Sequence, residues 1–222
     1  RAVVDGVEHK PYDDIADLIF SADGKRFAYR AKSGEKWLAV VDGTEGRTYD
    51  STSHLIFSPN GAHYAYVARR GEKQFVVLNG VASKEYAEVG WIMPLFSPDS
   101  AHLAYMIREK GKQIMVVNGK PGKPYDLISN DSFKFSPDSK RWAHDAKTAD
   151  GQELIVVDGV QGKPYKSVGD PFFSPDGKRL AYSARPDPEE GFHIFVRTLT
   201  NGPRWQATSG EGSDIGPAWS PD

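Results

Sequence analysis

The sequence predicts an all-β protein, a β-propeller of four-stranded blades. One observation is a phrase, Phe-Ser-Pro-Asp-Gly-Lys-Arg-Leu-Ala-Tyr, complete at 173–182 and returning in degraded form at 20–29, 57–66, 96–105 and 135–144. Its opening recurs as Trp219-Ser220-Pro221-Asp222, and the starts fall 37, 39, 39, 38 and 46 residues apart. The other is a second phrase in phase with the first, Val-Val-Asp-Gly followed by Tyr. It pairs Asp5 with Tyr12, Asp42 with Tyr49, Asn79 with Tyr86, Asn118 with Tyr125 and Asp158 with Tyr165, always seven residues apart. A period of about 40 residues with four strand-sized pieces per unit is the signature of propeller blades.

The fourth unit shows how each strand is read. Ser132–Ser136 alternates and is short, as a strand should be. Pro137-Asp138 supplies a turn, because Pro fixes φ and the Asp side chain reaches backbone N–H groups two residues on. Arg141–His144 is the second strand, and Glu153–Val157, rich in β-branched residues, the third. Asp158-Gly159 is a hairpin turn, since both residues tolerate positive φ, and Lys163–Ser167 is the outer strand. Ala82–Glu88 has a helical composition, but its Tyr86 is in register with the other outer-strand tyrosines.

Complete units are expected at 18–49, 55–86, 94–125, 133–165 and 171–207 of a single domain, 1–222. Residues 1–15 read as the last two strands of a unit and 213–222 as the first strand of another. Together they give a six-bladed propeller with a composite last blade that closes the two termini and is incomplete here. The phrase breaks off at Asp222, so the natural chain is expected to continue beyond it.

Some positions repeat for architectural reasons. The eighth residue after each phrase-opening Phe is Ala (Ala28, Ala65, Ala104, Ala143, Ala181), which lets strands or sheets approach closely. Beside it stand Tyr29, Tyr66, Tyr105, His144 and Tyr182, which fill space. Two residues before the Ala lies Arg26, His63, His102, Arg141 or Arg179. The turn residues Asp23, Asn60, Asp99, Asp138, Asp176 and Asp222 read as turn formers, because a calcium site needs several oxygens converging in one loop.

Composition excludes several chemistries. A chain of 222 residues with 39% hydrophobic and 26% charged residues and a net charge of −2 gives no reason to expect nucleic acid as a partner. The absence of Cys rules out disulfides, thiolate metal sites and cysteine nucleophiles. Apolar runs stop at five residues, as at Trp37–Val41, whereas a membrane helix needs roughly 20. No signal peptide is visible. The six histidines lack metal-ligand spacing, and no nucleophile elbow, P-loop or dinucleotide fingerprint occurs. No catalytic, cofactor-binding or metal-binding residue is assigned.

The connections after the second strand carry Lys32 and Lys36, then Arg69, Arg70 and Lys73, then Arg108, Lys110 and Lys112; Asp187, Glu189 and Glu190 break the series in the fifth unit. A basic arc of this kind suits an anionic partner. Trp91 and Met93 interrupt a polar connection on the same face and read as an apolar anchor. Arg69, Arg70, Lys73, Trp91, Met93, Arg108, Lys110 and Lys112 are therefore the candidate partner-binding residues.

The first phrase closely resembles the TolB-type, WD40-like propeller repeat, PD40, over essentially the whole chain. The Val-Val-Asp-Gly…Gly-Lys-Pro-Tyr phrase looks most like exported bacterial repeat proteins of unknown role. The resemblance implies a periplasmic or extracellular location, and no family active-site residue maps onto this chain. The function expected is a non-enzymatic scaffold that binds a protein or anionic polymer through one face. The alternatives are an accessory or gating propeller from a larger prolyl-oligopeptidase-type hydrolase, discriminated by a downstream Gly-x-Ser-x-Gly segment, and a structural subunit that assembles through open strand edges.

Overall fold

A computed structural model describes residues 1–4, 6–90, 94–200, 204–210 and 212–220, and among them the chain forms strands and turns with no helix. It therefore has no helix long and apolar enough to cross a membrane among the described residues. The chain divides into two compact units, Arg1–Glu109 with Met115–Lys120, and Lys110–Ile114 with Pro121–Asp222.

Each repeat makes one antiparallel sheet whose strands are neighbours in chain order, the blade arrangement of a propeller. The first sheet is Asp14–Phe20, Phe27–Ser33, Lys36–Val41 and Thr44–Tyr49. The second has Ser51–Thr52 and Ile56–Phe57 end to end along one edge of Tyr64–Arg70, then Lys73–Leu78 and Val81–Ala82. In the third, Glu88–Val89 and Leu95–Phe96 share Leu103–Glu109, followed by Lys112–Val117 and Lys120–Pro121. The fourth runs Lys134–Phe135, Trp142–Lys147, Glu153–Val157 and Val160–Gln161. The fifth has Ser167–Val168 and Phe172–Phe173 on Arg179–Arg185, then His193–Thr198 and Arg204–Gln206.

Four strand expectations are corrected. The inner strand of the fourth sheet is Lys134–Phe135, not Ser132–Ser136, because the Ser132 hydroxyl is bonded to Asp145 and the Ser129 carbonyl instead of a ladder. The outer strand is Val160–Gln161, not Lys163–Ser167: Pro164 has no N–H to donate, so pairing resumes only as a bridge at Tyr165, and Ser167 already belongs to the fifth sheet. At the N-terminus, Val3–Val4 and Val7–Glu8 form a two-stranded sheet, whereas Asp14 and Ile15 belong to the first full sheet. No strand forms among the described residues of 213–222. There Gly216 takes φ +68° and Pro217 lacks a donor, both adverse to a ladder.

The turns follow the local chemistry. Asp42-Gly43, Asn79-Gly80, Asn118-Gly119 and Asp158-Gly159 all have φ between +49° and +80° at both residues, the two-residue hairpin geometry. In each Ser-Pro-Asp turn the Asp or Asn Oδ1 accepts the serine hydroxyl and a backbone N–H two residues on, as at Ser174 Oγ to Asp176 (2.6 Å) and Lys178 N to Asp176 (3.0 Å). These bonds favour the ionised form and hold the Asp23, Asp138 and Asp176 carboxyls below the usual range. The carboxylates are thus spent within their own turns. Asp5 and Asp222 lie outside the described residues.

All five repeat alanines are buried, from 0% to 3% exposed. Each outer-strand tyrosine meets the aromatic on the second strand of the next repeat: Tyr12 with Tyr29, Tyr49 with Tyr66, Tyr86 with Tyr105, Tyr125 with His144 and Tyr165 with Tyr182. Their centroids lie 5.9–6.4 Å apart and their planes cross at 62–75°, the edge-to-face contact favoured by ring quadrupoles. Burial pushes the Tyr182 hydroxyl up to about 12 and the Tyr66 hydroxyl higher still. It pushes the His144 imidazole below its ordinary value.

Candidate functional site

The basic-or-His position just before the second strand faces the next repeat. Its partner is the Asp or Asn of the hairpin turn in the same sheet, and the two vary together. Arg26 Nε donates to Asp42 Oδ2 at 2.8 Å, and Arg141 Nη1 donates to Asp158 Oδ2 at 2.8 Å. His63 and His102 instead pair through Nδ1 with the side-chain amides of Asn79 and Asn118, each at 2.8 Å. In all four sheets the turn residue's Oδ1 also accepts a backbone N–H, from Phe27, Tyr64, Leu103 and Trp142. That bond orients each Asn amide so that its Nδ2 faces the imidazole. Nδ1 is then the acceptor, and the neutral ring keeps its proton on Nε2.

The consequence lies in how far each residue reaches. Arg26 extends into the second repeat, where Nη1 donates to the Gly61 and Ala62 carbonyls at 2.9 and 3.0 Å. Its guanidinium lies 5.3 Å from the Phe57 centroid and 6.0 Å from that of Tyr64. Arg141 likewise reaches the Leu199 carbonyl, at 3.1 Å. His63 is shorter: it stacks on Phe96, with centroids 6.5 Å apart and planes at 24°. Between the second and third sheets this leaves a cavity of about 570 Å³, against about 240 Å³ beside Arg26.

Val76, Leu78, Val81, Phe96 and Leu103 give the larger cavity its apolar wall, and the two His–Asn pairs its polar groups. None of its lining residues is Asp, Glu, Lys or Arg. Tyr105, which also lines it, is 3% exposed and packs edge-to-face against Tyr86. In sequence His63 and His102 are members of a repeated position; the structure makes them half-buried and places them in the lining of this groove. The signal was present, since His pairs with Asn and Arg with Asp at a spacing of 16 or 17 residues, but it shows only when the two phrases are aligned together.

The basic candidates are placed on two hairpins. Arg69, Arg70 and Lys73 are exposed and adjacent, with Arg70 opposite Lys73 across the ladder. Arg70 lies over the Tyr49 and Phe75 rings and 3.5 Å from Glu85. Arg69 bonds Ser51 and the Gly71 carbonyl. Arg108 pairs with Glu88 at 3.7 Å, and Lys112 pairs with Asp126. Lys36 likewise pairs with Asp50, whose carboxyl is held low by that lysine and by the Gly71 N–H. Lys73 and Lys110 form no ion pair among the described residues. Three of the six basic side chains thus already face carboxylates. Trp91 and Met93 lie outside the described residues.

The C-terminal phrase keeps one feature of the repeat. Arg179 lies over the Trp219 ring at 4.7 Å, as Arg26 lies over Phe57, and the indole N–H donates to the Phe172 carbonyl at 3.0 Å. Among the described residues no three His, Asp or Glu side chains converge as a metal site requires.

No family model matches the chain, and no curated protein matches it. Among solved structures, TolB from Acinetobacter baumannii is 15% identical over 90% of this chain and 54% of its own, with a TM-score of 0.41. The eukaryotic initiation factor is 15% identical over 88% of this chain and 56% of its own, at 0.48. The β-propeller domain of the Trilobed protease from Pyrococcus furiosus is 15% identical over 85% and 70%, at 0.46. This chain spans about half the length of the TolB structure it matches. Likenesses this distant bear on none of the functional readings, and the fold rests on the chain's own sheets.

Proposed function

We propose that the protein is a non-enzymatic propeller scaffold that binds a protein or anionic polymer through the connections between its second and third strands, in the periplasm or outside the cell. The observation that carries this reading is a division of labour within the repeat. Serine hydroxyls and carboxylates of the Ser-Pro-Asp turns are consumed in closing those turns, whereas the tip carrying Arg69, Arg70 and Lys73 is exposed and differs from unit to unit. The carboxylate partners of Arg70, Arg108 and Lys112 moderate the field, so an anionic partner competes with internal pairs and its affinity falls with salt.

Titration with polyglutamate tests the reading. Saturable, salt-sensitive binding is expected, weakened roughly tenfold by Arg69→Glu with Lys73→Glu. Binding indifferent to both substitutions would move the site elsewhere. Hydrolysis of an ester or peptide substrate that follows the protein through repurification would overturn the non-enzymatic half of the reading.

A further inference from the structure

We propose that the groove between the second and third sheets is a binding site for an uncharged, largely apolar small molecule carrying a hydrogen-bonding edge. The chain supplies its own template for the argument. At the first joint an arginine fills the corresponding space, bonds the carbonyls of the next turn and is neutralised by Asp42. At the second joint both members of that pair are replaced, Arg by His63 and Asp by Asn79, so bulk and charge disappear together. Replacing the arginine alone would have left a carboxylate beside the groove; the joint replacement leaves it neutral.

The groove, about 570 Å³, falls within the range of small-molecule pockets, which combine apolar walls with a few polar groups that fix orientation. A charged ligand would lose its hydration here with no lining side chain of opposite sign. A neutral ligand meets Val76, Leu78 and Leu103, and finds a polar group in the His63 imidazole, whose Nε2–H is left over from the bond to Asn79. The site stands independently of the partner reading above, since it uses none of the hairpin-tip cations.

Phenylnaphthylamine, a neutral fluorescent probe, and anilinonaphthalene sulfonate, the same ring system with an anionic group, provide the test. The parent protein is expected to bind the neutral probe saturably and the sulfonate roughly tenfold more weakly. His63→Arg with Asn79→Asp copies the first joint into the second and should abolish neutral-probe binding with the β-sheet circular dichroism unchanged. Val81→Asp, at a side chain 72% exposed on the rim, should weaken the probe without touching the core and covers the case in which the double variant fails to fold. Absence of saturable binding in the parent, equal affinity for the two probes, or undiminished binding in the filled or Val81→Asp variants would each overturn the proposal.

Discussion

The joint between the first and second sheets and the joint between the second and third are built from the same phrases but differ in their side chains: Arg26 and Asp42 give way to His63 and Asn79, Glu45 to Ala82 and Tyr64 to Leu103. At the first, Arg26 reaches from its own hairpin turn to the carbonyls of Gly61 and Ala62 and covers Phe57. At the second, His63 keeps the bond to its hairpin turn and the ring stack, but stops short of the next turn. A repeat can therefore hold its place by aromatic and backbone contacts while the polar bridge is either present or dispensed with. The bridge contributes stability; its absence leaves room.

That contrast is broken most directly by deleting each bridge. Arg26→Ala removes an ion pair, two bonds to carbonyls and the cover over Phe57, and is expected to cost about 2–3 kcal/mol. His63→Ala is expected to cost under about 1 kcal/mol. Denaturant midpoints at unchanged slope decide it, and equal losses would mean that the arginine bridge is ornamental.

A second substitution asks how deep the openness extends. Ala104 lies in the third sheet and is 1% exposed, and Ala28 is its counterpart in the first at 0%. Enlarging either to Leu is expected to cost about 1–3 kcal/mol by overpacking. If Ala104→Leu were tolerated and Ala28→Leu were not, looseness would run through the third sheet instead of being confined to its turn end.

The smallest effect separates two kinds of histidine. His63 and His102 stand in arginine positions, whereas His144 takes a tyrosine position, is 1% exposed and has its titration lowered by burial. Its folded form resists a proton that the unfolded chain accepts below about 6.5, so stability present above that pH is lost as pH falls toward the folded value. His144→Tyr should leave stability at neutral pH little changed and flatten the acid limb. An unaltered acid limb would place the proton uptake elsewhere.

Much of this architecture is legible in the sequence because turn chemistry and small-residue positions are local. The Ser-Pro-Asp turns, the Asp-Gly and Asn-Gly hairpins and the buried alanines follow from single side chains and their immediate neighbours. The inner strands are less legible. They break into two pieces wherever a segment such as Gly169-Asp170-Pro171 or Ser53-His54-Leu55 departs from the ladder, and those segments share no phrase. Outer strands end short of the repeated tyrosine where Pro124 and Pro164 cannot donate; the second sheet is interrupted at the same place without a proline. The groove was hidden for another reason. It arises from the length difference between Arg and His across a joint, and no single phrase reports on a joint.

The tyrosine contacts between consecutive repeats carry one more implication. Because each is a nearest-neighbour contact, the free energy of such an array approximates a sum over repeats and the seams between them. A change at one seam then leaves the others close to their former strength, so a seam can be edited as a unit. The paired exchange of Arg for His and Asp for Asn is such an edit, already made at two positions in this chain. It shows a route by which a duplicated, purely structural module acquires an individual chemistry without renegotiating the rest of the fold.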